Sequence, residues 1–308
     1  MSSDGLITIG ITGYKEGDLL MRAWESVLNQ TNLNWKAVMV LDGGADLKTK
    51  EVFSSIHHPH LVKYCFDENK GAYITREKTI ELCETEWIYH IDGDDYIPAD
   101  VIDIFYNSIE EKSMFFFGNT EIIDFNGHSV IKVFKPATLK TFILNNEFPR
   151  IVAFKKQFFY DFGSFEPKLN RGRGDFDFVI RLFAKNIPYT YVDKTIYTYE
   201  LRRDSLCHNY DGDIGYRNFI IYLRNKDVFE NSGFAVQYLM MGFESSLLYH
   251  LKKGNRILSF LYIKRIFKYH KKIKIIDKWI LKMPFFLLRI IYPLKNTYRR
   301  INSSLHII

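Results

Sequence analysis

Trp87-Ile88-Tyr89-His90-Ile91-Asp92-Gly93-Asp94-Asp95 joins a short strand-like run to a turn that carries three aspartates. The run Trp87–Ile91 is rich in aromatic and β-branched residues, so it predicts a buried strand. Asp92 and Asp94 are two residues apart on a turn that Gly93 permits, and they can converge on one divalent cation. Mg²⁺ and Mn²⁺ prefer such oxygen ligands. An acidic turn can also be merely solvated, but its position directly after a strand favours a site.

The segments around this stretch alternate between strand-like and helix-like patterns. The predicted strands are Leu6–Ile11, Lys36–Leu41, Val62–Phe66 and Trp87–Ile91, and the predicted helices include Asp18–Asn29 and Ala72–Cys83. This alternation predicts an α/β fold, with a mostly parallel, Rossmann-like central sheet flanked by helices. Polar clusters follow three strands, at Thr12–Glu16, Asp42–Asp46 and Asp92–Asp95. Because ligands bind at the carboxyl ends of such strands, the clusters predict a nucleotide-type site.

Composition is typical of a globular protein, and the cysteines indicate a reducing environment. The 308 residues are 47% hydrophobic and 25% charged, and this length suits one large α/β catalytic domain with an appendage, or two ordinary domains. No basic run precedes the first apolar segment, and no stretch reaches the ~20 apolar residues that span a bilayer, so neither a signal peptide nor a spanning helix is expected. Cys65, Cys83 and Cys207 match no zinc pattern and are expected to be buried, reduced thiols.

The charge is divided unevenly along the chain. Residues 252–308 hold 15 Lys or Arg and one acid, a net charge of +14, whereas residues 1–251 carry a net charge of −8. The pattern predicts a domain at 1–210 and a helical, basic, amphipathic region at 211–308. Apolar residues interleaved with the basic ones favour a membrane surface over nucleic acid, for which no recognised binding module is present. A helical appendage that only packs on the domain is the alternative.

Several motifs in order resemble the inverting glycosyltransferases of family 2, which have the GT-A fold. The resemblance covers about Leu6 to Ser205, roughly two thirds of the chain. It rests on motifs that follow one another in the family's order. These are the opening strand and the helix end after it (Ile9–Glu16 and Trp24–Thr31), an aspartate-containing strand end (Val38–Asp46), a glycine–arginine helix start (Asn69–Gly71 with Arg76), a second aspartate-containing strand end (Asp92–Asp95 with Pro98), an acidic helix (Gly174–Leu182) and a tyrosine–arginine segment (Tyr199–Ser205).

The resemblance implies a role for each matching residue. Asp42 is expected to bind the nucleotide base, Asp94 to ligate Mn²⁺ or Mg²⁺, and Asp175 to act as the general base toward the acceptor. Asp92 is expected near the ribose or the metal, with His208 as a further metal ligand or an ordinary surface histidine. The remaining residues expected to bind the nucleotide sugar are Thr12, Tyr14, Glu16, Lys70, Arg76, Gly93, Arg202 and Arg203.

Two features near the expected base leave alternatives open. The family commonly has Glu before the catalytic Asp, where this chain has Gly174, and Asp177 is a fallback base. Asp175 could also serve as the N-cap of a helix predicted at Phe176–Lys185. His90, inside the predicted strand, is expected to be packed rather than catalytic.

The sequence therefore predicts an inverting glycosyltransferase on the cytoplasmic face of the inner membrane. It would transfer a sugar from a nucleoside-diphosphate donor, by preference UDP-linked, to a glycan or lipid-linked glycan in bacterial polysaccharide, lipopolysaccharide or glycoprotein synthesis. A sugar nucleotidyltransferase is disfavoured, because Ile11–Gly17 does not supply the Gly-rich phosphate loop that it usually has. A non-catalytic carbohydrate- or lipid-binding adaptor with the same fold is the other alternative.

Overall fold

An eight-stranded mixed sheet organises the first part of the chain in the computed structural model, which describes residues 7–135, 138–145, 153–170, 172–202 and 213–269. The strands are β1 Ile7–Gly13, β2 Trp35–Leu41, β3 Leu61–Cys65, β4 Trp87–Asp92, β5 Phe115–Ile123, β6 Ser129–Lys132, β7 Ala153–Lys155 and β8 Tyr189–Glu200. Their order is β3-β2-β1-β4-β7-β5-β6, and β8 pairs with β5. The neighbours β3, β2, β1 and β4 are all parallel, so the predicted α/β sheet is confirmed.

Helices separate the parallel strands as the alternation predicts. They are α1 Leu19–Leu28, α2 Leu47–Ser55, α3 Ala72–Leu82 and α4 Val101–Ser108, followed by α5 Leu139–Asn145, α6 Lys156–Phe162 and α7 Gly174–Ala184. Helix α1, predicted at Asp18–Asn29, buries one apolar face at Leu20, Ala23, Trp24 and Val27, while Leu28 is exposed. Asp18 is at the N-cap of α1 without a capping bond from its side chain, which pairs with Lys48 at 2.8 Å instead.

Two residues of the sheet test the sequence-based expectations for buried groups. His90 is buried as expected, and its Nε2 lies 2.7 Å from Thr79 Oγ1 on α3. Burial, with a smaller effect of Arg76, lowers the pKa of His90 to about 3, so the ring is neutral at physiological pH. Cys83 is buried, but Cys65 is exposed at the end of the edge strand β3, so the expectation of burial was wrong there. Cys207 lies outside the described residues.

The chain divides into two compact units, Met1–Asn209 and Tyr210–Ile308. The described part of the second unit contains the helices α8 Ile214–Arg224, α9 Lys226–Ser232, α10 Ala235–Lys253 and α11 Arg256–Tyr269. The region predicted to be helical has a break between α8 and α9, because Asn225 leaves the helical conformation (φ −119°, ψ 34°) and bonds the Ile221 carbonyl through its side chain. None of the helices in the described ranges has the length and apolarity needed to span a bilayer.

Candidate active site

The carboxyl ends of β1, β2 and β4 bring three of the predicted residues together. Thr12 pairs in register with Asp92, and its hydroxyl lies 3.3 Å from Asp92 Oδ1. Asp42 follows the last residue of β2, and its amide donates to Gly13 O at 2.7 Å. The parallel register therefore aligns the polar clusters on one edge of the sheet, as the strand ends predict.

Arg76 on α3 forms a close ion pair with Asp92. Its Nη2 lies 2.6 Å from Oδ1 and 2.7 Å from Oδ2. Burial alone would lower the pKa of Arg76, but the Asp92 carboxylate and other nearby groups outweigh it and the net shift is upward. The guanidinium is therefore a fixed positive charge at the strand end, where a diphosphate would need one.

Acidic groups crowd together beside this pair. Burial, with a contribution from Asp94, raises the pKa of Glu16 to about 7. Burial and the Asp92 carboxylate raise the pKa of Asp94 to about 6, although Arg202 opposes the shift with its Nη1 3.4 Å from Asp94 Oδ2. Such a cluster has a high affinity for positive charge, because either a proton or a cation relieves the repulsion.

Three residues outside the acidic turn hold it in place, and sequence reasoning assigned a role to none of them. Asp95 of the turn is fully buried and accepts from the Tyr197 hydroxyl at 2.7 Å and from Glu200 N at 3.2 Å. Arg22 on α1 donates to the Asp94 carbonyl at 2.9 Å and pairs with Glu200 at 2.5 Å. The turn is thus fixed from α1 and from β8, two elements that the spacing of the aspartates does not indicate.

Gly93 has a steric reason for its place between the aspartates. A Cβ atom there would lie 2.8 Å from Thr12 O and 3.0 Å from Leu20 Cδ1. The Gly93 amide also donates to Thr12 O at 2.8 Å. Gly93 therefore allows the turn to close directly against β1.

Asp42 organises a loop through its carboxylate. Oδ1 accepts from Gly43 N at 2.9 Å and from Lys70 N at 2.7 Å, and Oδ2 accepts from Gly71 N at 2.8 Å. The structure brings the backbone of Lys70 to this site, whereas its side chain is exposed and lies 3.4 Å from Glu68. Asp42 therefore fixes the approach to α3, and base recognition by this residue stays a prediction.

The loop after β1 carries Tyr14 and Glu16 to the same edge. Glu16 Oε2 accepts from Tyr14 N, and the Glu16 side chain packs over Gly13 and Gly93. The Tyr14 ring lies beside Gly44 in the loop after β2, at 3.9 Å from the Cβ position there. The Glu16 side chain is therefore close to the acidic turn, whereas the Tyr14 ring lies against the loop after β2.

Asp175 lies in the first turn of α7 and is not its N-cap. The helix begins at Gly174, and the N-cap is Arg173 in the left-handed conformation (φ 70°), so the capping alternative was wrong. Tyr73 on α3 donates its hydroxyl to Asp175 Oδ1 at 2.9 Å. Asp177 is fully buried, 3.5 Å from Arg181, so it is not accessible as a fallback base.

Two predicted residues, Arg203 and His208, lie outside the described residues. Within the part of the chain that is described, no group of three or more His, Cys, Asp or Glu side chains is arranged to hold a metal ion. Asp92 and Asp94 could supply two carboxylates, and the remaining ligands would have to come from elsewhere.

The family model for glycosyl transferase family 2 matches residues 8–162, which carry the sheet edge described above. The chain belongs to this family. Glycosyltransferase GlyA of Streptococcus pneumoniae is 23% identical over 229 residues, 67% of this chain and 32% of GlyA. The chain spans roughly a third of the length of the curated relatives it matches.

Two solved structures share the fold at low sequence identity. S. aureus TarS 1-349 in complex with UDP-GlcNAc is 16% identical, with a TM-score of 0.61 over 86% of this chain and 89% of TarS 1-349. The mannosyltransferase PcManGT from Pyrobaculum calidifontis, in complex with GDP-Man and Mn²⁺, is 13% identical, with a TM-score of 0.52 over 95% of this chain and 87% of PcManGT. The predicted GT-A fold is confirmed.

The Asp42 network predicts a structural cost for Asp42→Asn. The amide would present N–H groups to backbone donors, so we expect the free energy of unfolding to fall by about 2 kcal/mol, as for a lost bond to a charged group. Asp46→Asn is the matched control, because Asn caps helices as well as Asp does and Asp46 caps α2. Urea unfolding measures both, and equal stability of the two variants would contradict the loop-fixing role.

The raised pKa values of Glu16 and Asp94 predict how stability depends on pH. Since the folded protein binds these protons more tightly than the unfolded chain does, their stabilising contribution is complete below about pH 4 and is lost as pH rises through 6 to 7. At pH 8 without divalent cations, we expect Asp94→Asn to raise the free energy of unfolding by on the order of 1 kcal/mol.

Asp227→Asn, at an exposed position on α9, is the control and should change little. Urea unfolding at pH 5 and pH 8 in a chelator measures the effect. An Asp94→Asn variant less stable than the wild type at pH 8 would show that the cluster is not repulsive.

Proposed function

We propose that this chain is an inverting, metal-dependent glycosyltransferase that uses a nucleoside-diphosphate sugar, with UDP as the preferred nucleotide. The observation that carries the proposal is the arrangement around α3. Arg76 of that helix pairs with Asp92 at the strand edge, and Tyr73 of the same helix bonds Asp175. One helix thus connects a cluster suited to a diphosphate with a carboxylate suited to an acceptor.

Inversion requires a single in-line displacement. The acceptor hydroxyl oxygen attacks the anomeric carbon as the bond from that carbon to the diphosphate oxygen breaks, and the nucleoside diphosphate leaves from the opposite face. Asp175 takes the hydroxyl proton as general base. Arg76, with Arg202 near Asp94, lies where it can stabilise the negative charge of the leaving group.

The carboxylates fit a divalent cation that the donor helps to bind. Asp94 and Asp92 offer oxygen ligands, and Mg²⁺ or Mn²⁺ commonly uses one or two carboxylates together with substrate phosphates and water. The raised pKa of Asp94 indicates unmet demand for positive charge at this point. When bound, the cation would neutralise charge on the departing diphosphate. The Mn²⁺ that accompanies GDP-Man in the PcManGT complex supports this assignment.

The donor and acceptor are proposed from the relatives and from the charge of the tail. UDP-GlcNAc in the TarS complex supports a UDP-sugar, and the curated glycosyltransferases that the chain matches support a bacterial surface glycan or lipid-linked glycan as acceptor. The net charge of +14 in residues 252–308 supports binding to the cytoplasmic face of the inner membrane.

A panel of UDP-sugars and GDP-mannose, with water as acceptor and Mn²⁺ or Mg²⁺ present, tests the activity. We expect at least one donor to release its nucleoside diphosphate, and we expect chelation to abolish turnover. Asp175→Asn should lower kcat at least about 100-fold with donor KM little changed, because only proton transfer is lost. Asp94→Asn should weaken both donor and Mn²⁺ binding.

Asp227→Asn, remote from the strand edge in sequence and exposed, controls for the loss of a carboxylate. Full activity of both Asp94→Asn and Asp175→Asn would contradict the proposal, as would failure to turn over or bind any donor. Release of pyrophosphate from a nucleoside triphosphate would indicate a nucleotidyltransferase instead.

Membrane binding is tested by co-sedimentation with vesicles that contain anionic phospholipid. Replacing Lys271, Lys272 and Lys274 with Gln should lower partitioning roughly 100-fold, since each Lys near an anionic surface contributes about 1 kcal/mol. The matched control replaces Lys48, Lys50 and Lys112 in the acidic part of the chain. Equal sedimentation of the two triple variants would contradict binding through the basic region.

A further inference from the structure

Helix α3 has one residue that contacts the candidate base directly. Tyr73 is 5% exposed, and its hydroxyl lies 2.9 Å from Asp175 Oδ1, 102 positions later in the chain. Phe176 N donates to the same oxygen at 2.8 Å. Burial and the Asp175 carboxylate raise the pKa of Tyr73 above its ordinary value, so the hydroxyl stays protonated and acts as the donor.

The Tyr73 ring also explains why residue 174 is glycine. A Cβ atom on Gly174 would lie 2.9 Å from three atoms of that ring, Cγ, Cδ2 and Cε2. Any side chain there would push the ring, and with it the hydroxyl, away from Asp175. Tyr73 thus occupies the space that a glutamate at position 174, the residue common in the family, would need in this chain.

Further contacts fix the ring between α3 and the segment that leads to α7. Tyr73 N donates to Asn170 Oδ1 at 3.2 Å, and Asn170 Nδ2 donates to the Lys70 carbonyl. One turn later on the helix, Glu77 Oε1 accepts from Phe165 N at 2.8 Å. The Phe165 ring lies 5.2 Å from the Tyr73 ring. The hydroxyl is therefore held in place and not merely near Asp175.

Tyr73 also contacts Arg76, the residue proposed to stabilise the diphosphate of the donor. The Arg76 guanidinium carbon lies 5.2 Å from the centre of its ring, in a cation–π contact, and Arg76 binds Asp92. A path of direct contacts therefore runs from Asp175 through Tyr73 and Arg76 to Asp92.

We propose that Tyr73 is a positioning residue that aims Asp175 at the acceptor hydroxyl through the hydrogen bond from the Tyr73 hydroxyl. The proposal rests on the proposed function, in which Asp175 is the general base. A bond from a fixed donor holds the carboxylate in one rotamer and so keeps the proton acceptor in reach of the acceptor hydroxyl.

Tyr73→Phe separates the hydroxyl from the ring. Phe keeps the packing against Gly174 and Phe165 and the contact with Arg76, and it removes only the bond to Asp175. With the donor that turns over fastest in the panel, we expect kcat to fall about 10-fold while donor KM stays within about twofold.

Tyr106→Phe is the matched control. Its hydroxyl bonds Ile7 N at 3.1 Å and Asn34 O at 2.8 Å, at the start of β1 and away from the carboxyl ends of the strands. This variant should keep the kcat of the wild type. In the Asp175→Asn background, adding Tyr73→Phe should cause no further loss, because Tyr73 acts through Asp175.

A measurement without substrate makes the test independent of the donor. In protein labelled with carboxyl-¹³C aspartate, the Asp175 signal is identified by its disappearance in Asp175→Asn. Its chemical shift should change in Tyr73→Phe, because the hydrogen bond from the hydroxyl is lost, and should stay unchanged in Tyr106→Phe. An unchanged Asp175 signal in Tyr73→Phe, or an unchanged kcat, would overturn the role of Tyr73. Full activity of Asp175→Asn would instead overturn the proposed function.

Discussion

The Arg76–Asp92 ion pair is the contact on which the arrangement of the site depends. Taking two charges out of water is costly unless their geometry is close, and here one guanidinium nitrogen lies within 2.7 Å of both carboxylate oxygens. The pair ties α3 to the end of β4, and α3 in turn carries Tyr73 against Asp175. Removing Asp92 would leave Arg76, whose side chain is 12% exposed, without this counter-charge, and it would remove this contact between α3 and the end of β4.

Burial and mutual repulsion make the ionised carboxylates in and beside the acidic turn unfavourable in the folded protein. Asp94 and Glu16 have raised pKa values because they are buried near other carboxylates, and Asp95 is fully buried with Tyr197 and Glu200 as hydrogen-bond partners. Arg202 lies 3.4 Å from Asp94 and opposes this shift, whereas Arg22 pairs with Glu200. Functional sites commonly concentrate such destabilised groups, and a cation with a diphosphate would relieve the repulsion.

Local patterns predicted the sheet and the strand edge, because parallel strands align their carboxyl ends. Thr12, Asp42 and Asp92 came together for that reason. The contacts made by Tyr73 and Arg22 could not be predicted, since they join residues 102 and 72 positions apart and both side chains look ordinary on a helix. Asp175 was open to interpretation as a cap because it directly precedes the predicted helix Phe176–Lys185, yet α7 begins at Gly174, where the Tyr73 ring leaves no room for a side chain.

The proposed chemistry is a single displacement assisted by one carboxylate. The most direct measurement is the configuration of the sugar first released from an α-linked UDP-sugar, read by ¹H NMR before the anomers equilibrate. One in-line attack predicts that the β-anomer appears first. First appearance of the α-anomer would mean retention of configuration, and it would contradict the role given to Asp175.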